Sequence, residues 1–256
     1  MYRAALTSQP KGGGYAMSDV EASSRVLRPA RVTDCRRIAE LFRISSEGVA
    51  DYVWSRMRDE FPDLSLLDVG ERRYRREGTG FSYQNCLVAE LAGEVIGMMH
   101  SFVIEPEPEA TAPAQALDPV LRPYAELEAP GSLYIAGLAL LPGHRNRGIG
   151  RRMLAAARQR AREAGAGELS LLCLESNAGA LRLYEREGFR TIDRRPVVPH
   201  PMIHAAGDVL LMAAPVGAMN LSAPPPGFIV GAKGRCEALH SRRRGSVVCF
   251  NRVGLL

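Results

Sequence analysis

A chain of 256 residues with 46% hydrophobic and 24% charged side chains can bury one full core. Its formal charge of +5 lies wholly in residues 215–256, where six basic side chains face one acid, so residues 1–214 carry 27 of each sign and give no global support for nucleic-acid binding. Five cysteines without C-x-x-C spacing exclude a disulfide framework or zinc site as the organising element.

The odd cysteine number suits a reduced, cytoplasmic setting, which is the expected localisation. The longest apolar stretches, Leu133 to Leu141 and Val209 to Met219, fall short of the roughly 20 residues that span a bilayer, so no membrane partner is expected. The only lysines, Lys11 and Lys233, lie in the flanks.

Residues 1–24 are rich in Gly, Ser, Ala and Pro, include Gly12-Gly13-Gly14 and show no hydrophobic period; they are expected to be a disordered leader. Val26-Leu27 opens a strand, and Thr33 is placed to cap a helix with Ile38, Leu41 and Phe42 on one face. A second helix is expected from Val49 to Met57, carrying the single Trp, Trp54. Runs at Cys86 to Leu91 and Val95 to Ile104 flank Ala92-Gly93-Glu94 and predict an antiparallel hairpin. An acidic, Pro-rich insertion from Glu105 to Gly131 follows, too polar for the core; its carboxylates would raise the local concentration of a cationic ligand.

Leu133 to Leu141 reads as an apolar strand in which Gly137 marks a bulge. A basic, glycine-containing turn leads into a helix whose buried face is Ile149, Met153, Leu154, Ala157 and Ala161, ended by Gly165. Leu169 to Leu174 is a buried strand, and Ser176 is placed to cap a helix that Gly188 stops. Strands are expected at Phe189 to Arg195 and Asp208 to Ala213, then a basic tail over 215–256 with Pro224-Pro225-Pro226 and Arg242-Arg243-Arg244, read as disordered. The pattern predicts a mixed α/β domain over residues 25–214.

The turn Pro142-Gly143-His144-Arg145-Asn146-Arg147-Gly148-Ile149-Gly150-Arg151-Arg152 crowds four arginines and a histidine at a helix start. Cations there oppose the helix dipole, each at a cost of about 0.3 to 1 kcal/mol, which makes sense if an anion sits among them. Gly148 and Gly150 would let a phosphate approach, and first-turn amides can donate to it. A solvated basic helix start is the structural alternative. No Gly-Lys-Ser/Thr follows and no third glycine completes a dinucleotide fingerprint.

Arg145-x-x-Gly148-x-Gly150, after a strand ending Leu-Ala-Leu-Leu-Pro, resembles the Q/R-x-x-G-x-G/A loop of the GNAT N-acetyltransferase superfamily. A second block, Asn177-x-x-Ala180-x-x-Leu183-Tyr184-Glu185-x-Glu187-Gly188-Phe189, stands at the usual distance downstream. The resemblance is strongest over residues 132–195. It implies an α+β fold whose mostly antiparallel twisted sheet is splayed at the acetyl-CoA strand, with flanking helices.

It further implies acetyl-CoA as donor, its pyrophosphate on the amides of Asn146, Arg147, Gly148, Ile149, Gly150 and Arg151, beside Arg145, and its pantetheine along Leu138, Ala139 and Leu140. A backbone N–H near Leu140 would hold the oxyanion, and Tyr184 would protonate the leaving thiolate. Asn177, seven residues or two turns before Tyr184, shares its helix face toward the cofactor.

The implied activity is transfer of acetyl to a primary amine of a small molecule or peptide, without a metal. A homodimer is compatible with it.

One departure concerns the base. Relatives that modify ribosomal-protein N-termini carry a Glu where this chain has Leu172, which leaves Glu47, Glu126 and Glu128 as carboxylates that could act through water. Without an obvious base, a non-catalytic acyl-CoA sensor is the alternative. Cys173, inside an apolar strand, reads as a structural thiol, and His200 and His204, the first flanked by prolines, as loop residues.

Overall fold

The computed structural model describes residues 25–106 and 118–217. The expected leader, residues 107–117 of the acidic insertion, and the tail from 218 lie outside them.

Seven strands form one sheet in the order β1-β2-β3-β4-β5-β7-β6: β1 Arg25–Pro29, β2 Cys86–Leu91, β3 Glu94–Val103, β4 Leu133–Leu140, β5 Glu168–Leu174, β6 Arg190–Pro196 and β7 Asp208–Pro215. All pairings are antiparallel except β4 with β5. The sheet lies between two helical layers. On one side are α1 Cys35–Ser46, α2 Val49–Arg56, α3 Leu66–Tyr74 and α4 Arg122–Ala125; on the other are α5 Ile149–Glu163 and α6 Ala178–Arg186. Strand alternation feeds both cores: Met98 faces the first cluster and Met99 the second.

The β2–β3 hairpin turns on Ala92 and Gly93, both at positive φ, as a two-residue turn matched to strand twist requires. The expected face of α5 is buried throughout: Ile149, Met153, Leu154, Ala157 and Ala161 are each at most 4% exposed.

Several local expectations change. Thr33 lies in a 3-10 turn, and Asp34, which accepts the Arg31 N–H at 2.7 Å and pairs with Arg28, stands at the cap of α1. Asn177, not Ser176, caps α6, its Oδ1 accepting the Ala180 N–H at 3.1 Å. Helix α3 has no counterpart in the sequence reading, although Ser65 and Asp68 form its capping box. The acidic insertion returns to the core at Leu121, Tyr124 and Leu127, all at most 5% exposed. The last strand also outruns residue 214: Val216 is buried and donates its N–H to the Gly167 carbonyl at 3.0 Å.

Trp54, 1% exposed, fills the space between α2 and α3, its ring edge against Gly70. Trp54→Ala is expected to cost about 3–5 kcal/mol, read as a lower urea midpoint at unchanged slope; a shift under about 1 kcal/mol would mean the helical layer closes over the void.

Strand β4 makes the feature that positions the site. It pairs with β3 along its whole length, but with β5 only where Leu133, Tyr134 and Ile135 meet Leu169, Ser170 and Leu171. Between His100 and Ser101 the register slips past Ala136, so the bulge expected at Gly137 is present one residue earlier. A Cβ on Gly137 would stand 2.9 Å from the Phe42 ring, which is why α1 can lie directly on this bend. Beyond it, residues 136–140 and 172–174 diverge and leave a gap between two neighbouring strands.

Candidate active site

The gap widens into a cleft of ≈ 1030 Å³. Of the residues singled out in the sequence, Leu138, Ala139, Leu140, Arg145, Asn146, Gly148, Gly150, Arg151, Asn177 and Tyr184 line it together. Two do not: Arg147 is exposed outside the cleft, and the Ile149 side chain is 4% exposed in the core under α5, so only their main chains can serve the loop.

The loop has a concave backbone. Asn146 (φ 60°) and Gly148 (φ 77°) are left-handed, alternating with residues of ordinary φ, a pattern that turns successive N–H groups toward one anion. The first α-helical hydrogen bond runs from the Arg152 N–H to the Gly148 carbonyl, 3.2 Å. The amides of Ile149, Gly150 and Arg151 precede it and have no acceptor within the helix. Arg145 Nε donates to the Leu140 carbonyl at 3.1 Å, clipping the loop to the end of the open strand. Gly150 has a packing role: a Cβ there would stand 3.1 Å from the Leu183 side chain.

Arg151 Nε pairs with Glu187 Oε1 at 3.2 Å, and the buried Arg158 holds the same carboxylate at 3.3 Å and its carbonyl. Arg182 and Arg186, one turn apart on α6, also line the cleft and were missed in the sequence. Their (i, i+4) spacing within the second motif was the available signal.

Tyr184 is 7% exposed; burial, with Cys173 and Tyr134 adding to it, pushes its phenol pKa far up, so it holds its proton at neutral pH. Burial, then Glu47 and Glu185, push the Cys173 thiol up to about 12, which suits a structural thiol and not a nucleophile. His200 packs edge-on against Tyr52 with centroids 4.5 Å apart, and the His204 N–H donates to the Glu47 carbonyl at 3.0 Å. No cluster suited to a metal occurs among the described residues.

The three carboxylates fare differently. Glu126 is tied outside to Arg195 (3.6 Å) and Arg122 (3.9 Å). Glu128 lies near enough to Tyr134 to raise its pKa, after burial. Glu47 Oε1 accepts from Asn177 Nδ2 at 3.4 Å, joining the end of α1 to the start of α6. Aromatic walls from Phe42, Phe81, Tyr124 and Tyr134 complete the cleft, none of them marked by a local motif.

The seven-stranded mixed sheet is thus opened between two central strands, with a helix start whose first amides lack acceptors within the helix at the mouth of the gap. A crystal structure of an acetyltransferase superposes with a TM-score of 0.52 at 20% identity, covering 75% of this chain and 99% of that one. An N-acetyltransferase from Staphylococcus aureus Mu50 matches at 21% identity and a TM-score of 0.49, covering 74% of this chain and all of the other. The model of the acetyltransferase (GNAT) family matches residues 47–189, and the chain belongs to that family. Streptothricin acetyltransferase of Streptomyces lavendulae is 46% identical over 57 residues, which is 22% of this chain and 30% of that protein. The match thus spans under a third of that curated relative's length. No helix among the described residues is long and apolar enough to cross a membrane.

Proposed function

We propose that the protein moves an acetyl group from acetyl-CoA to a primary amine. One observation carries the reading: the unpaired helix-start amides at residues 149–151 open at the mouth of the gap between β4 and β5. One extended thioester can then have its pyrophosphate on the loop 146–151 and its arm along Leu138, Ala139 and Leu140, whose β5-facing side is unpaired. Membership of the acetyltransferase family supports acetyl as the group transferred.

The chemistry is direct attack. The amine nitrogen bonds to the acyl carbon, the C–S bond breaks, Tyr184 Oη protonates the sulfur, and the proton released from nitrogen restores the phenol. A main-chain N–H near Leu140 stabilises the oxyanion. The catalytic unit is the domain of residues 25–214, with the end of β7 and Val216 as its closing edge.

Thiol release should be screened across simple amines, polyamines, aminoglycosides, amino acids, peptides and streptothricin. The last is included because of the short match to streptothricin acetyltransferase. Amine-dependent release supports the reading; calorimetric binding of CoA with no release across the panel replaces it with a sensor.

Two further arginines of the cleft wall, Arg182 and Arg186, would hold the 3′-phosphate of CoA. Replacing both by Ala is expected to raise KM for acetyl-CoA about tenfold, in keeping with charge-assisted hydrogen bonds, and to leave KM for 3′-dephospho-acetyl-CoA unchanged. Equal increases for both donors would remove the assignment.

A further inference from the structure

We infer that Glu187 is a positioning residue: its carboxylate and its main-chain carbonyl, both bonded to the buried Arg158, fix the place of Tyr184 relative to the loop 146–151. The effect on turnover rests on the acetyl-transfer reading; the placement of the helix does not.

Helix α6 is short of apolar anchors. Its nine residues carry one buried side chain, Tyr184 itself, while Ala180, Leu181 and Leu183 are partly buried against the core under α5. Apolar contact is non-directional, so such a helix takes a single position only if directional bonds hold it there.

Arg158 supplies those bonds. It shares a face of α5 with Leu154 and Ala161, both at 0% exposure, and is itself 6% exposed. Its Nη1 donates to Glu187 Oε2 at 3.3 Å and its Nη2 to the Glu187 carbonyl. A buried guanidinium persists only when paired and hydrogen-bonded, and here both bonds go to one residue. Glu187 is the C-terminal cap of α6, where a cation also meets the negative end of the helix dipole. Stability alone does not ask for this pair, since well-packed apolar side chains of similar volume are often as stable in such a place.

The cap is tied directly to Tyr184. The Glu187 N–H donates to the Tyr184 carbonyl at 3.0 Å, and the Phe189 N–H donates to the same carbonyl at 2.9 Å. Glu187 follows Tyr184 by less than one helical turn, so any movement of the cap carries the phenol with it.

The same carboxylate reaches the loop. Its Oε1 pairs with Arg151 Nε at 3.2 Å, and Arg151 contributes one of the three open amides at the helix start. Arg151 and Arg158 are two turns apart on one face of α5, so Glu187 bridges the loop and the middle of that helix. The Arg151 side chain is 68% exposed and its ion pair is weak; the buried Arg158 holds the cap. An extended donor fixed at its pyrophosphate delivers its sulfur at a set distance from the loop, and the phenol must stand at that distance. A misplacement of about 1 Å can lower a rate by about 100-fold.

The test uses the paired substitution Arg158→Met with Glu187→Gln, which leaves no buried charge without a partner. Alone it is expected to lower kcat about tenfold while KM for acetyl-CoA changes by less than about threefold. Added to Tyr184→Phe it should change kcat by less than about twofold, because the group it positions is already gone. Arg158→Lys, which keeps the cation and loses the second bond, should fall between the wild type and the paired variant. Amide exchange gives a readout that needs no turnover: with CoA bound, residues 184–189 should exchange at least about tenfold faster in the paired variant, while residues 149–163 stay as in the wild type.

An unchanged kcat, an equal loss with and without Tyr184→Phe, or unchanged exchange at 184–189 overturns the inference. Faster exchange confined to 184–189, in a protein whose wild type releases no thiol with any amine, leaves the inference standing and overturns the transfer reading instead.

Discussion

Tyr184→Phe is expected to lower kcat by about 100-fold or more, the range over which a positioned general acid acts, while the affinity for acetyl-CoA stays unchanged. The hydroxyl is the only group removed. The ring itself packs at 7% exposure, its centroid 5.6 Å from that of Phe189, and the substitution keeps that contact, so Tm should not fall. The cause of the loss is specific: burial holds the phenol protonated at neutral pH, ready to give its proton to a thiolate as the C–S bond breaks. A thioester whose leaving thiol is more acidic needs that proton less. The variant should therefore lose less activity with such a donor than with acetyl-CoA. A kcat within threefold of the wild type, or an equal loss with both donors, would move the acid role elsewhere.

The part of the candidate site that was legible in the sequence is local. Arg145, Gly148, Gly150, Asn177 and Tyr184 sit in two short motifs whose spacing survives translation into a loop and a helix. The bulge was legible for the same reason, since a glycine inside an apolar strand often marks a break in its pairing.

Other parts of the cleft and its rim are built from residues with no such neighbours. Glu47 and Asn177 meet across 130 positions of sequence, and Tyr124 enters the core from a segment whose acidic composition argued for solvent. Helix α3 was overlooked although Ser65 and Asp68 announce it, because Gly70 and the arginines around it dilute the apolar period. Asn177 shows how a cap and a cleft-lining group can be one residue: its Oδ1 takes the Ala180 N–H and leaves Nδ2 for Glu47.

Gly148→Val is expected to weaken CoA binding by about 100-fold, and the cause is conformational. Gly148 has φ 77°, and a Cβ built there would meet no protein atom within 4 Å, so steric overlap with the fold plays no part. An L-residue in this region costs about 1–2 kcal/mol, and a β-branched one is a clear outlier. The chain would relieve the strain by rotating the 147–149 peptides, which turns the Ile149, Gly150 and Arg151 amides away from a shared anion. A loss of about 2.7 kcal/mol is what a 100-fold change in Kd represents. The ordering of substitutions separates this cause from simple blockage of the phosphate. If conformation governs, Gly148→Asn should be mildest, since Asn tolerates the left-handed region as Asn146 does two residues earlier at φ 60°. Gly148→Ala should come next and Gly148→Val last. If bulk against the ligand governs, Ala should be mildest and Asn close to Val. Calorimetric Kd values for CoA decide between the two orders, and a Val variant that binds within threefold of the wild type would detach the loop from the donor altogether.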